Sequence, residues 1–527
     1  MKIKFKYITV LCALIVAVTA CFDDDTLTYS TEHSTVTIYN SKINFNATPG
    51  DILEISMDSI VEVDREGKKL IIDANSDKYS FTWRKGGYGG FIEDPLSNEY
   101  KLKLKIKAQS HPYLTFVVRE ISTGLEYFKN FSIDIRYKTG FGLGIVDTKD
   151  NVHSNFHEIQ NMYVSIRSSD ELKVEKNTYK NITGNDFVGL VSHISYYQNY
   201  SLPHSVLNVF TKNNACYAYD GLFNKLADSK NMFVFKQDNY NILNLDKSLS
   251  HQILLSAEGK LQSAKIKKYV FSHPFITIDE SDYRVSHYRA QPSFGQSTYI
   301  YDEIGNRFMK NKPDGQYLYP VEGKETLFDY DKVGAYDAVY MGSGYSKSSW
   351  GDTYIVTILK SESGSNYFAY IFNANNNLND NQKIVSLANC TDINQATNFA
   401  TSPLEKILYY SVGSKLYSVS LSGSGIPVSY LAYETPSSGD EITNVKMWKD
   451  YTFMYTTDIS NPSGKPIKKN AQNRMLVITT YNKSSSEGKF IAVPIRILDN
   501  AKEGLENNVM NHRVFGGFGR ILAFDSL

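Results

Sequence analysis

The sequence predicts an all-β protein, an immunoglobulin-like sandwich followed by a seven-bladed β-propeller. Three observations carry this expectation. Of 527 residues, 39 are Tyr against only 3 Trp and 14 Pro; Tyr suits half-buried pleated surfaces, while abundant Asn, Ser and Gly supply turns. Short alternating strands fill residues 35–137. From residue 138 onward, hairpins recur at a mean spacing of about 55 residues, near the period of a four-stranded propeller blade with its loops.

Charge excludes some function classes at once. Lys+Arg 56 balance Asp+Glu 56, which removes the usual electrostatic argument for a nucleic-acid binder, one that needs a basic face to displace counterions, and no nucleic-acid partner is expected. A hydrophobic content of 42% excludes wholesale disorder.

The first twenty residues read as a signal. Lys2, Lys4 and Lys6 precede an apolar run from Tyr7 to Val18, 12 residues long, too short to span roughly 30 Å of hydrocarbon. The run ends in Val18-Thr19-Ala20-Cys21, which resembles a bacterial lipobox. That resemblance implies cleavage before Cys21 and acylation of its thiol, with palmitate-type chains anchoring the protein in a membrane. The competing reading is an ordinary secretory signal. Phe22-Asp23-Asp24-Asp25 resembles the export signal that sends lipoproteins of Bacteroidota-type bacteria to the outer face of the outer membrane; residues 21–34 are otherwise an acidic tether. With Cys12 in the signal and Cys21 acylated, Cys216 and Cys390 remain, with no CxxC or His spacing of a zinc site. A disulfide is allowed by the compartment, and two separate buried thiols are the alternative.

Residues 35–137 read as the sandwich. Thr35–Tyr39 and Asp51–Ile55 alternate, and Tyr79, Phe81 and Trp83 share one strand face. Leu102, Leu104 and Ile106 alternate with lysines, and two longer strands flank Ser122-Thr123-Gly124. Roughly seven strands with one mid-sequence Trp fit an immunoglobulin-like sandwich, with Trp83 in its core. Gly86 to Gly90 reads as a turn at its tip.

The order Phe81-Thr-Trp83, Leu114-Thr-Phe-Val-Val, Thr123-Gly124 and Phe128-x-x-Phe131-x-Ile133 resembles the PKD-like family of Bacteroidota lipoproteins. Thr139 to Val146 with Asp147 to Asn151 resembles the glycine-containing strand that follows the family's sandwich, without its usual Trp. The resemblance covers roughly the first 160 residues. Lipoproteins of this kind accompany SusC/SusD-like importers, in which surface lipoproteins serve a TonB-dependent barrel. It implies a non-catalytic accessory that captures a glycan or peptide for nutrient uptake. The alternatives are a propeller hydrolase or lyase acting on the same nutrient, and an adhesion or scaffolding module.

Hairpins of the propeller are expected near Gly144, Leu207, Ile253, Thr298, Thr353, Ile407 and Arg474. A strand-like run from Arg513 to Phe524 follows the last of them, placed to close the ring by joining the first blade and covering its edge. Further sandwiches are the competing architecture.

Chemistry is sparse. There is no HExxH, GxSxG, Walker or dinucleotide motif, so no catalytic residue, metal or cofactor is expected. His153 and His157 lie four apart in a segment that reads as strand and loop; Asp279 to Asp282 and Asn373 to Asn381 read as solvated turns. Tyr336, Tyr340, Tyr345 and Trp350 are interleaved with glycines and serines. They are expected on a long aromatic loop where rigid rings could stack on a ligand. Tyr196, Tyr197 and Tyr200 form a weaker cluster, and Trp448 is expected in a blade core.

Overall fold

The computed structural model describes residues 34–526 except 48–50, 65, 87–94, 107–111, 136–142, 161–162, 166–172, 198–205, 222, 248–250, 266–268, 287, 291–296, 313–314, 323–326, 335, 347–352, 362–363, 365, 375–381, 403, 438, 449–453, 461–465, 471–472, 497–503 and 506–511. Residues 1–33, Cys21 among them, and Trp350 therefore lie outside the described residues. The protein is all-β, with one α-helix among the described residues, Thr178–Thr183. No helix among them is long and apolar enough to cross a membrane. The chain divides into two compact units, residues 1–136 and 137–527.

In the first unit a five-stranded sheet runs in the order Asn44–Ala47, Glu126–Ile135, Tyr113–Glu120, Tyr79–Lys85, Pro95–Ser97. A three-stranded sheet (Thr35–Tyr39, Ser59–Val63, Lys69–Ile71) and the pair Ile52–Ile55 with Leu102–Lys105 complete it. Period-2 alternation decides what is buried. Tyr79, Phe81 and Trp83 all point inward. Trp83 is fully buried, its ring 4.8 Å from Phe116 and 5.5 Å from Phe131. Gly124, at φ +74°, closes the hairpin by donating its N–H to the Glu120 carbonyl at 2.8 Å.

The second unit is a succession of antiparallel sheets in a propeller-like arrangement. The strand that follows the first in most sheets is covered on both faces. Val206–Thr211 and Leu143–Thr148 are buried at every position, and Ile407–Val412 at all but one. Burial on two faces replaces alternation with a continuous apolar run. These are the segments the hairpin pattern picks out in the sequence. The inner strands Val191–Tyr197, Ile242–Lys247, Tyr336–Ser346, Asn398–Thr401, Asp440–Met447 and Arg520–Ser526 each begin a sheet, or in the last case join one, and neighbouring ones adjoin. In the sheet built on Thr298–Asp302 the inner position is taken by Ala290, bridged to Tyr299 by two backbone hydrogen bonds of 3.0 and 2.8 Å.

The C-terminal strand Arg520–Ser526 pairs antiparallel with Leu143–Thr148, in one sheet with Asn155–Gln160 and Lys173–Glu175. Arg513–Phe518 instead pairs with Glu487–Arg496 of the preceding sheet. A hairpin, Met454–Ser460 with Pro466–Asn470, leaves that sheet and pairs in parallel with Tyr163–Ser165. Cys216 and Cys390 are separate buried free thiols, and burial pushes them up to about 12 and about 11.

Closure brings two glycines into close approach. A Cβ on Gly519 would lie 2.2 Å from the Thr148 carbonyl oxygen, and one on Gly488 1.9 Å from the Gly519 oxygen. Both contacts are with backbone, which cannot swing aside. Gly519→Ala is expected to destabilise the second unit by about 1–3 kcal/mol, the range for an added methyl in a packed site. Chemical denaturation compared with the unaltered protein reads this out; an unchanged midpoint would remove the close approach.

Candidate functional site

The inner strands carry polar side chains among apolar neighbours, and several of these converge. Val191–Tyr197 provides His193 and Tyr196, Ile242–Lys247 ends in Asp246 and Lys247, and Asp440–Met447 provides Lys446. Tyr288 and Arg289 precede the Ala290 bridge, and Arg520–Ser526 ends in Asp525 and Ser526. Inner strands of neighbouring sheets adjoin, so residues on them meet although distant in sequence.

Lys247 and Asp525 form the best-connected pair. Their Nζ and Oδ2 are 3.0 Å apart. Lys247 Nζ also donates to the Tyr196 carbonyl at 2.9 Å and to Ser526 Oγ at 3.0 Å. The Tyr196 N–H donates to Asp525 Oδ2 at 2.8 Å. Arg289 is buried; its Nη2 donates to the Ile253 carbonyl at 2.8 Å and lies 3.5 Å from Asp246 Oδ2. Its Nε and Nη1 find no hydrogen-bond partner among the described residues.

Burial and neighbouring charge set the protonation of the residues near these pairs. Burial, then the neighbouring Lys446 charge, push His193 down to about 4, against weaker opposing effects of the Leu243 backbone and Asp246. Burial also pushes Tyr340 up to about 12 and raises Tyr288, so both phenols stay protonated. Their ring centroids are 6.1 Å apart. The cluster therefore offers ammonium and guanidinium donors, carboxylate acceptors, a neutral imidazole and aromatic faces, a set suited to holding a polar ligand.

The aromatic segment differs from the loop expected of it. Residues 336–346 form an inner strand, paired with Thr353–Ser361. Tyr336 is half-buried, its ring centroid 5.9 Å from Tyr370 and 6.3 Å from Phe368. The Tyr340 hydroxyl lies 2.8 Å from Thr401 Oγ1 and accepts the Thr401 N–H at 3.0 Å, joining two sheets. Tyr345 lies on the same strand, its side chain outside the described residues. The glycines that resembled loop punctuation serve close packing. A Cβ on Gly342 would meet the Tyr340 hydroxyl at 2.0 Å, and one on Gly344 would meet Val356 Cγ2 at 2.6 Å.

Other singled-out residues stay apart. His153 sits in an exposed turn 2.6 Å from Asp150, whereas His157 is buried with Nε2 3.0 Å from Asp147. Asp279 pairs with Arg307 at 2.9 Å and Asp282 with Lys260. No group of three or more His, Cys, Asp or Glu suited to a metal occurs among the described residues. Tyr197 and Trp448 are buried, and Tyr200 lies outside the described residues. Sequence reasoning missed Asp246, Lys247, Arg289, His193, Lys446 and Asp525. The available signal was charge within otherwise apolar strands, as in Ile242–Lys247.

No family model matches the chain, and no curated protein matches it. Among solved structures it is similar to a quinoprotein alcohol dehydrogenase-like protein from Bacteroides thetaiotaomicron, at 12% identity and TM-score 0.41, over 94% of this chain and 96% of that one. It is also similar to BBS1N in complex with ARL6DN, at 8% identity and TM-score 0.33, over 63% and 92%. A third is the WD40 domain of SCAP from fission yeast, at 9% identity and TM-score 0.32, over 62% and 74%.

Two outcomes follow from this geometry. Between pH 6.5, the ordinary value of a His, and about 4, the unfolded chain binds a proton at His193 that the folded chain does not. Stability therefore rises with pH across that window and is lost as pH falls through it. His193→Gln should flatten this part of the stability profile measured by urea denaturation at stepped pH. Tyr340→Phe should cost roughly 1–3 kcal/mol, because the Thr401 N–H loses its acceptor; an unchanged denaturation midpoint would show that this bond does not join the sheets.

Proposed function

We propose that the protein is a surface-exposed lipoprotein of the bacterial outer membrane, anchored through Cys21, that binds a glycan or peptide without transforming it. In this reading residues 35–137 are an immunoglobulin- or PKD-like sandwich and residues 138–527 a seven-bladed propeller. It serves a TonB-dependent SusC/SusD-like importer. The observation that supports the binding role is that charges from different elements meet, Lys247 with Asp525 and Arg289 with Asp246, with Asp246 and Lys247 adjacent at the end of one inner strand. The lipobox-like Val18 to Cys21 supports the anchor, and tethering beside a transporter raises effective concentration, so even weak capture is useful.

The test has two parts. Cells fed labelled palmitate should label the protein, and Cys21→Ala should lose both label and membrane partition. A panel of oligosaccharides and peptides should yield a ligand that the protein returns chemically unchanged, with binding at least about tenfold weaker in Asp246→Asn. Turnover of the bound ligand would replace the binder by an enzyme. Trp350→Ala measured on the same ligand decides whether the segment after Tyr345 takes part.

A further inference from the structure

The first unit carries a one-sided row of positive charge. Along Leu102–Lys105 and its flanks, Lys101, Lys103 and Lys105 are exposed while Leu102 and Ile106 are buried. Period-2 alternation therefore sets the three lysines on one outward face, about 7 Å apart. The partner strand Ile52–Ile55 adds to that face Ile52, opposite Lys105, and Glu54, opposite Lys103. Glu54 and Lys103 meet at 2.9 Å, but their side chains stay 62% and 72% accessible, so the pair lies in water and holds the lysine only weakly. On this strand pair three outward lysines face one outward glutamate, a surplus of two positive charges. Beside them Ile52 is an apolar side chain left 67% exposed.

We infer that the Lys101–Lys103–Lys105 face rests on the anionic lipid surface that holds the chain's own anchor. This rests on the reading of Cys21 as the acylated residue, and adds an electrostatic contact to it. Two observations point to a bilayer as the occupant. Thirteen residues link Cys21 to Ser34, where the described chain begins, and at full extension they reach about 45 Å at most. The first unit is therefore confined beside the membrane, where a high effective concentration favours even a weak surface contact. The second observation is complementarity. Lysines are drawn to the phosphates of an anionic leaflet, and an exposed aliphatic side chain among them can enter the headgroup layer. Ile52 beside Lys105 supplies that side chain.

The acylated protein is reconstituted in vesicles of phosphatidylcholine alone and of phosphatidylcholine with about 30% phosphatidylglycerol, which supplies the anionic surface. Lysines are acetylated with a membrane-impermeant reagent and read by mass spectrometry, each relative to Lys230, an exposed residue of the second unit. Lys101, Lys103 and Lys105 should react about fivefold or more slowly on the anionic vesicles, the factor expected for a lysine held at such a surface. Salt at about 0.5 M, where the Debye length falls to roughly 4 Å, should remove the difference. In Lys101→Gln/Lys105→Gln, both at exposed positions, Lys103 should react on anionic vesicles as it does on neutral ones. Equal rates on the two kinds of vesicle, or protection of Lys103 that survives the double variant, overturns the inference. Slow acetylation on both kinds that is relieved in Asp23→Asn/Asp24→Asn/Asp25→Asn assigns the face to the acidic segment after Cys21 and overturns it as well. A chain that acquires no fatty acid and does not join vesicles overturns the Cys21 reading and this inference together. Equal rates on a chain that has joined them leave the anchor standing.

Discussion

The pairing of Arg520–Ser526 with Leu143–Thr148 is the contact on which the second unit depends, because it joins the two ends of that unit in one sheet. Without it the Leu143–Thr148 edge would offer unpaired N–H and C=O groups to any other strand. The pairing is not uniform. Its register shifts between Val146 and Asp147, so that Val146 faces Ala523 while Asp147 faces Ile521. Asp147 is fully buried there, accepting the Gly519 N–H at 2.5 Å through Oδ2 and the Asn155 Nδ2 at 3.1 Å through Oδ1. Burial works against its charge, but His157, Gly519 and Asn155 outweigh that and hold the carboxyl below its ordinary value. A buried carboxylate with donors on both oxygens fixes one register, since any slip would leave a charge uncompensated.

The same strand builds the polar cluster. Beyond the register shift, Phe524 packs 5.2 Å from the Phe490 ring, and Asp525 reaches Lys247 and the Tyr196 N–H. Apolar contact holds the sheets together farther out, as in the group formed by Leu143, Ile145, Met475, Val477 and Phe490. Polar contact joins inner strands as well, as in the Lys247–Asp525 pair. The Lys247–Asp525 pair keeps some exposure, with side chains 24% and 15% accessible. Such a pair contributes little net stability once desolvation is counted, so its physical role is to specify which strand ends meet.

How much of this could be read from the sequence follows from burial. Strands covered on both faces write continuous apolar runs into the chain, and the runs near Leu207, Ile253 and Ile407 fall in Val206–Thr211, His251–Ser256 and Ile407–Val412. The alternation of Tyr79, Phe81 and Trp83 is legible because one face of that strand meets solvent. Inner strands are harder to see. Tyr336–Ser346 resembled a loop because Gly342 and Gly344 look like turn residues, whereas they make room for the Tyr340 hydroxyl and for Val356. The polar residues left only a faint local mark, one or two charges in an otherwise apolar strand such as Ile242–Lys247, and which of them meet is a property of topology.

Closure and the proposed ligand site thus share one strand. Asp525 and Ser526 belong to the last strand, Lys247 to an earlier sheet and Lys446 to the sheet that precedes closure. A ligand held there would contact the last strand together with residues from earlier sheets, and nothing equivalent exists in the unfolded chain. Binding would stabilise the closed arrangement by an amount that grows with the logarithm of ligand concentration over Kd. Conversely, any change that loosens the Asp147–Gly519 clamp would displace Asp525 and alter the charge balance around Lys247. Placing Asp525 on the strand that pairs with Leu143–Thr148 makes that pairing a condition for the Lys247–Asp525 contact.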